Sequence, residues 1–131
     1  MNDIGRVVFD ASAVLALFLK EARAQELTEE ITHRSAVCSV NLAEVQSKLV
    51  SNGYDPDLAW QDSTALVAHI EPFSSELAKI AGDLIAYTKP FGLSLGDRSC
   101  LALAITLNAP VYTTERIWRG LDLGIPIHIL R

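Results

Sequence analysis

Histidine, cysteine and aromatic residues are all sparse in this chain of 131 residues. The two cysteines, Cys38 and Cys100, each sit in an apolar run and lack the close Cys/His spacing of a zinc site, so they read as buried thiols of a reducing compartment. His33, His69 and His128 are scattered at expected element ends, and none is assigned a catalytic role. Long hydrophobic runs are missing too. The longest, Ala13 to Leu19, is far too short to span a bilayer, and no charged segment followed by an apolar one opens the chain. A cytoplasmic protein without membrane association is expected. Basic charge is also short: sixteen Asp and Glu against eleven Lys and Arg leave a formal charge of −5. That balance argues against a broad basic nucleic-acid-binding surface but leaves room for a local one.

Apolar side chains, in contrast, are plentiful. Hydrophobic residues make up 50% of the chain, enough to fill the core of one domain over residues 1–131 and to bury some surface against another chain. An oligomer or an obligate partner is therefore expected. Arg6 to Phe9 reads as a buried strand ending in Asp10, with Ser12 suited to cap a helix over Ala13 to Leu19. A polar helix over about Ala22 to Thr32 and a strand at Ala36 to Val40 follow, and Asn41 opens a helix that Gly53 stops. Asp55-Pro56 starts a helix running to about His69, Ile70 to Phe73 reads as a brief strand, and Ser74 caps a helix through about Thr88. Beyond Pro90 and Gly92 come an apolar helix opened by Ser94, a strand at Val111 and Tyr112, a short helix near Arg116 to Leu121 and a last strand at Ile125 to Leu130. Alternating strands and helices predict an α/β fold in which a parallel sheet is covered on both faces.

Four carboxylates recur at the ends of these elements, and each has a purely structural reading. Asp97 fits a capping box with Ser94. Asp10 suits a local turn or a cap. Glu44 shares a helical face with Asn41, Ser47, Lys48 and Ser51, which suggests a solvated face with a Glu44–Lys48 pair. Glu115 could supply negative charge to the short helix that follows it. Asp97, however, projects with Cys100, Leu101, Ala104 and Asn108 towards the sheet, while Arg98, Ser99, Ala102 and Thr106 take the opposite side. Parallel strands bring their C-terminal ends to one edge, so Asp10, Glu44, Asp97 and Glu115 are expected to converge. Carboxylates so placed repel unless cations lie between them, and an oxygen-only donor set suits magnesium or manganese. Such a site could orient a phosphodiester, lower the pKa of bound water and neutralise charge in an in-line displacement.

The segments VVFDASAVLALFLKE (Val7 to Glu21), SVNLAEV (Ser39 to Val45), LSLGDRSCLALA (Leu93 to Ala104) and VYTTERIW (Val111 to Trp118) together resemble a PIN-domain ribonuclease. More narrowly they resemble the VapC-type toxin of a toxin–antitoxin pair. The resemblance runs in family order over nearly the whole chain, and the Leu93 to Ala104 segment is its most characteristic part. It implies a three-layer α/β/α sandwich around a small, mostly parallel sheet and a Mg2+- or Mn2+-dependent endoribonuclease. Asp10, Glu44 and Asp97 match the three core acidic positions, and Glu115 matches a fourth at which the family usually has Asp. One added methylene there can turn direct metal coordination into contact through water. Ser12, Asn41 and Thr113 match polar residues that support the acidic cluster. Also implied are a homodimer and a VapB-type antitoxin whose C-terminal segment covers the acidic groove, with transfer RNA as a family-level substrate.

Arg98 and Arg116 adjoin proposed carboxylates and could hold RNA phosphates, although the helical projection favours a surface role for Arg98. Trp60 and Trp118 could stack on bases, but helical spacing favours packing or an interface. The alternative from another class is a catalytically weak or inactive PIN-fold interaction domain, for which Glu115 is the sequence hint. A phospho-acceptor role for Asp10 ranks below both. Ser12 stands where a haloacid-type phosphatase wants a second Asp, the sequence around Asp10 lacks a receiver's acidic pair, and Ile125 to Leu130 contains no Lys. No Walker loop or dinucleotide fingerprint occurs.

Overall fold

The computed structural model describes residues 5–131, so the first four residues of the domain expected over 1–131 lie outside the described residues. Val7–Phe9 form strand β1, in which Val8 joins one apolar cluster while Val7 and Phe9 join another. That alternation marks a strand covered on both faces. Strands β2 (Ser35–Cys38) and β4 (Val111–Thr113) pair with its two sides, and β3 (His69–Glu71) and β5 (Ile127–Ile129) form the edges. Among the described residues the order is β3-β2-β1-β4-β5 and every pairing is parallel. The expected α/β architecture is present. Chain order runs outward from β1 to β3 and then restarts at β4, so a crevice opens at the C-terminal ends of β1 and β4.

Helices α1 (Ala11–Phe18), α3 (Ser39–Ser51) and α4 (Pro56–Thr64) cover the face of Val7, Phe9 and Val37, as does the short α2 (Glu29–His33). Helices α5 (Ser75–Asp83) and α7 (Leu95–Leu107) cover the face of Val8, Ala36 and Val111, with α6 (Ile85–Thr88) beyond α5. Helix α3 also touches α7, which brings elements from both layers together at the crevice. No helix among the described residues is long and apolar enough to cross a membrane. Cys38 and Cys100 are buried and unpaired, as expected.

Several segments depart from the sequence reading for local reasons. The helix expected over Ala22 to Thr32 is a 3-10 turn, Ala22–Glu26, followed by α2. Leu27 is drawn into the core between them, and extended Thr28 restarts the helix by accepting from the Ile31 amide at 3.3 Å. The helix from Asp55 ends at Thr64, before the chain descends to β3. The helix from Ser74 breaks into α5, α6 and a 3-10 turn, Lys89–Phe91, closed by Gly92 with φ of +66°. Helix α7 is not one-sided: Ser99 and Ala102, expected on its outer side, are fully buried because α5 packs over them. Trp118, in the 3-10 turn Arg116–Gly120, is fully buried in the core, whereas Trp60 is 46% exposed.

Candidate active site

Asp10 leaves β1 at the centre of the sheet and is 3% exposed. Of the two residues suited to cap α1, Ser12 does not and Asp10 does: its Oδ1 accepts from the Ala13 amide at 2.8 Å. Ser12 lies inside the first turn instead. Its Oγ donates to Asp10 Oδ1 at 2.7 Å and accepts from the Thr114 amide at 2.9 Å, tying α1 to the end of β4. Thr113 donates to Asp10 Oδ2 at 2.5 Å and accepts from the Glu115 amide at 3.0 Å. Ser12 and Thr113 thus both hydrogen-bond to the Asp10 carboxylate. Burial pushes the Asp10 carboxyl up to about 6, against the pull of these three donors and helped by the nearby charge of Asp97. The donors hold the carboxylate in place, and it forms no ion pair among the described residues.

Asp97 does form the capping box: its Oδ2 accepts from the Ser94 amide at 3.0 Å, and Ser94 Oγ accepts from the Asp97 amide at 3.1 Å. Its Oδ1 has no hydrogen bond among the described residues and remains available. Asn41 does not open α3. The helix starts at Ser39, whose Oγ accepts from the Phe73 amide beyond β3. Asn41, within the first turn and 1% exposed, reaches across to α7 and donates to the Gly96 carbonyl at 2.9 Å and to Glu44 Oε1 at 2.9 Å. The expected Glu44–Lys48 ion pair does not form among the described residues. Glu44 is engaged by Asn41 instead.

Asp10, Ser12, Glu44, Asp97 and Glu115 line one cavity of about 240 Å3, together with Ala11, Leu15 and Lys48. All four carboxylates expected to converge therefore do so, and Thr113 and Asn41 stand behind them. A larger cleft between Tyr112, Arg119 and His128 is lined by none of these four acids. Glu115 is exposed, precedes the 3-10 turn and caps nothing with its side chain. Arg116 is exposed beside it. Arg98 turns away: its Nη1 donates to the Ala81 carbonyl at 2.8 Å, at the end of α5. Lys48, set aside in sequence as a partner for Glu44, is the basic residue that lines the cavity. Gly96 is a second residue the sequence reading passed over, since its contact with Glu44 spans two distant helices.

The donor set fits a hard divalent cation, being all oxygen and mostly carboxylate. No group of three His, Cys, Asp or Glu side chains among the described residues stands close enough to hold an ion directly. A cation that keeps several waters and takes one or two carboxylates directly is the kind these positions suit. Asp10, Glu44, Asp97 and Glu115 are the side chains of the cavity that could hold it.

Comparison with known proteins bears on the fold and the family. No curated protein matches the chain. Among solved structures it is similar to DNA-bound VapBC from Salmonella typhimurium, with 16% identity and a TM-score of 0.73 over 95% of this chain and 97% of that one. It is similar to VapBC2 from Rickettsia felis bound to a promoter DNA fragment, with 19% identity and a TM-score of 0.72 over 95% and 98%. It is also similar to the toxin–antitoxin system VapBC-5 from Mycobacterium tuberculosis, with 21% identity and a TM-score of 0.62 over 97% and 98%. At these identities the likeness is one of fold. The PIN domain family model matches residues 7–122, from the first residue of β1 to beyond the turn that carries Trp118, and the chain belongs to the PIN domain family.

Proposed function

We propose that the chain is a Mg2+- or Mn2+-dependent endoribonuclease and the toxin of a toxin–antitoxin pair, acting in the cytoplasm as a single-domain protein. The observation that carries this reading is the cavity in which Asp10, Glu44, Asp97 and Glu115 meet beside Lys48. A bound divalent cation would supply Lewis-acid activation of water and offset phosphate charge. The chain's own residues do the rest. Ser12, Thr113 and the Ala13 amide fix Asp10, so its carboxylate needs no reorganisation on binding. The capping box fixes Asp97 with one oxygen left open. Lys48 can hold a phosphate oxygen at the cavity wall, and exposed Arg116 can meet the RNA backbone further out. Arg98, engaged with Ala81, is assigned no RNA contact.

The antitoxin and homodimer parts of the proposal rest on apolar surface. A groove lined by Leu15, Leu19, Leu49 and Tyr54 continues from the acidic cavity through Ser12, Lys48 and Glu115. A segment with apolar side chains and one basic group would cover both at once. Tyr87 at 69%, Leu58 at 58% and Leu95 at 53% exposure leave further apolar area for a second copy. The neighbouring folds named above are toxin–antitoxin assemblies, which favours the same partnership here.

The test is cleavage of total RNA, and of transfer RNA separately, by the wild type, Asp10→Asn and Asp97→Asn with Mg2+ or Mn2+. Metal-dependent cuts leaving 5′-phosphate and 3′-hydroxyl ends, lost in both variants, are expected. Equal residual cleavage in all three proteins would remove the assigned site and leave a non-catalytic interaction domain as the better reading.

A further inference from the structure

Gly96 is the second residue of α7 and is buried, with an ordinary helical backbone open to any L residue. A glycine there weakens the helix without meeting any backbone need. Its missing side chain leaves room for Glu44: a Cβ on Gly96 would overlap the Glu44 carboxyl group, with Cδ and Oε1 each 2.6 Å away. Asn41 holds the same carboxylate from the side. Its Nδ2 divides its two hydrogens between Glu44 Oε1 and the Gly96 carbonyl, both at 2.9 Å. The opposite amide orientation would set an oxygen against two oxygens, so these acceptors fix the Asn41 side chain. Its Oδ1 is buried and unpartnered among the described residues, so orienting the Nδ2 group leaves that oxygen unsatisfied.

We propose that Gly96 and Asn41 form a seat that holds the Glu44 carboxylate over the first turn of α7, beside Asp97, and that this seat sets the cavity's affinity for a divalent cation. The inference rests on the metal-dependent reading above. Both are positioning residues that act through Glu44. Without the seat, the exposed Glu44 side chain is free to turn to solvent, and the cavity loses one of its charges.

Isothermal titration of the full chain with Mn2+, alongside thermal melts with and without Mn2+, tests the seat in Gly96→Ala, Glu44→Asp and the double variant. Gly96→Ala should bind Mn2+ at least tenfold more weakly, while its metal-free melting temperature stays at or above the wild-type value because Ala is the better helix former. Glu44→Asp should also bind more weakly. The double variant should bind no more weakly than Glu44→Asp alone, because the shorter side chain withdraws from the new Cβ. Wild-type affinity in Gly96→Ala, or additive losses in the double variant, would overturn the seat. If Gly96→Ala fails to melt cooperatively, Asn41→Ala removes the other half of the seat without adding volume; several-fold weaker Mn2+ binding supports the seat and unchanged binding overturns it. A wild type that binds no Mn2+ would remove the metal-dependent reading and the seat with it, whereas a binding wild type with an undisturbed Gly96→Ala removes the seat only.

Discussion

Replacing Asp10 with Asn should stabilise the metal-free protein at neutral pH, and the size of the effect follows from the burial of its carboxyl. Burial, helped by the charge of Asp97, holds that group at about 6 against an ordinary 3.8, despite hydrogen bonds from Thr113, Ser12 and the Ala13 amide. Between those two values the folded state binds more proton than the unfolded one, so stability falls as pH rises through the interval. Each pH unit is worth about 1.4 kcal/mol, and the full cost of ionising Asp10 in the fold is about 3 kcal/mol above pH 6. Asn keeps the cap on α1, since Asn and Asp cap equally well, and it has no charge to bury. Urea unfolding in the presence of a chelator, from pH 4.5 to 7.5, measures the difference directly. The wild-type curve should fall relative to that of Asp10→Asn across this range, with a gap of order 2–3 kcal/mol at pH 7.5, or roughly 10 °C in Tm. Added Mn2+ should close the gap by stabilising only the wild type, since binding to the folded state adds stability by mass action. Parallel stability curves for the two proteins over this pH range would refute the argument, because they would mean that Asp10 ionises at no cost.

Lys48→Gln should weaken RNA binding several-fold at low salt and reduce the slope of log affinity against log salt by about one; an unchanged slope would remove Lys48 from the RNA path. Its stability should stay within about 0.5 kcal/mol of wild type, because Lys48 is exposed and forms no ion pair among the described residues. Ser94→Ala should cost about 1 kcal/mol in urea unfolding through loss of the Oγ acceptor of the capping box. Glu115→Ala should leave Tm nearly unchanged, since the residue is exposed. It should also lower RNA cleavage less than Asp10→Asn does, and an equal loss would show that Glu115 ligates firmly despite its extra methylene.

What the sequence made legible and what it hid divide by distance along the chain. The Ser94–Asp97 box spans three residues and the helical projection of Asp97 needs only its own helix, so both could be read directly. The bond from Thr113 to Asp10 spans 103 residues and that from Asn41 to Gly96 spans 55, and no local spacing encodes either. Glu44 and Arg98 show the same limit from opposite sides. Projection placed both on outward faces, but each face of α3 and α7 is judged against solvent only until another helix arrives. Helix α7 meets Glu44, and the end of α5 takes Arg98. Capping a helix does not compete with the metal-binding role proposed for these acids. A carboxylate has two oxygens, and the C-terminal edge of a parallel sheet is also where helices begin. Asp10 caps α1 with Oδ1 while Oδ2 faces Thr113, and Asp97 closes its box with Oδ2 while Oδ1 stays open. The cap fixes the direction of the remaining oxygen, so a strong capping signal at a strand-to-helix junction is compatible with a site and contributes to building one.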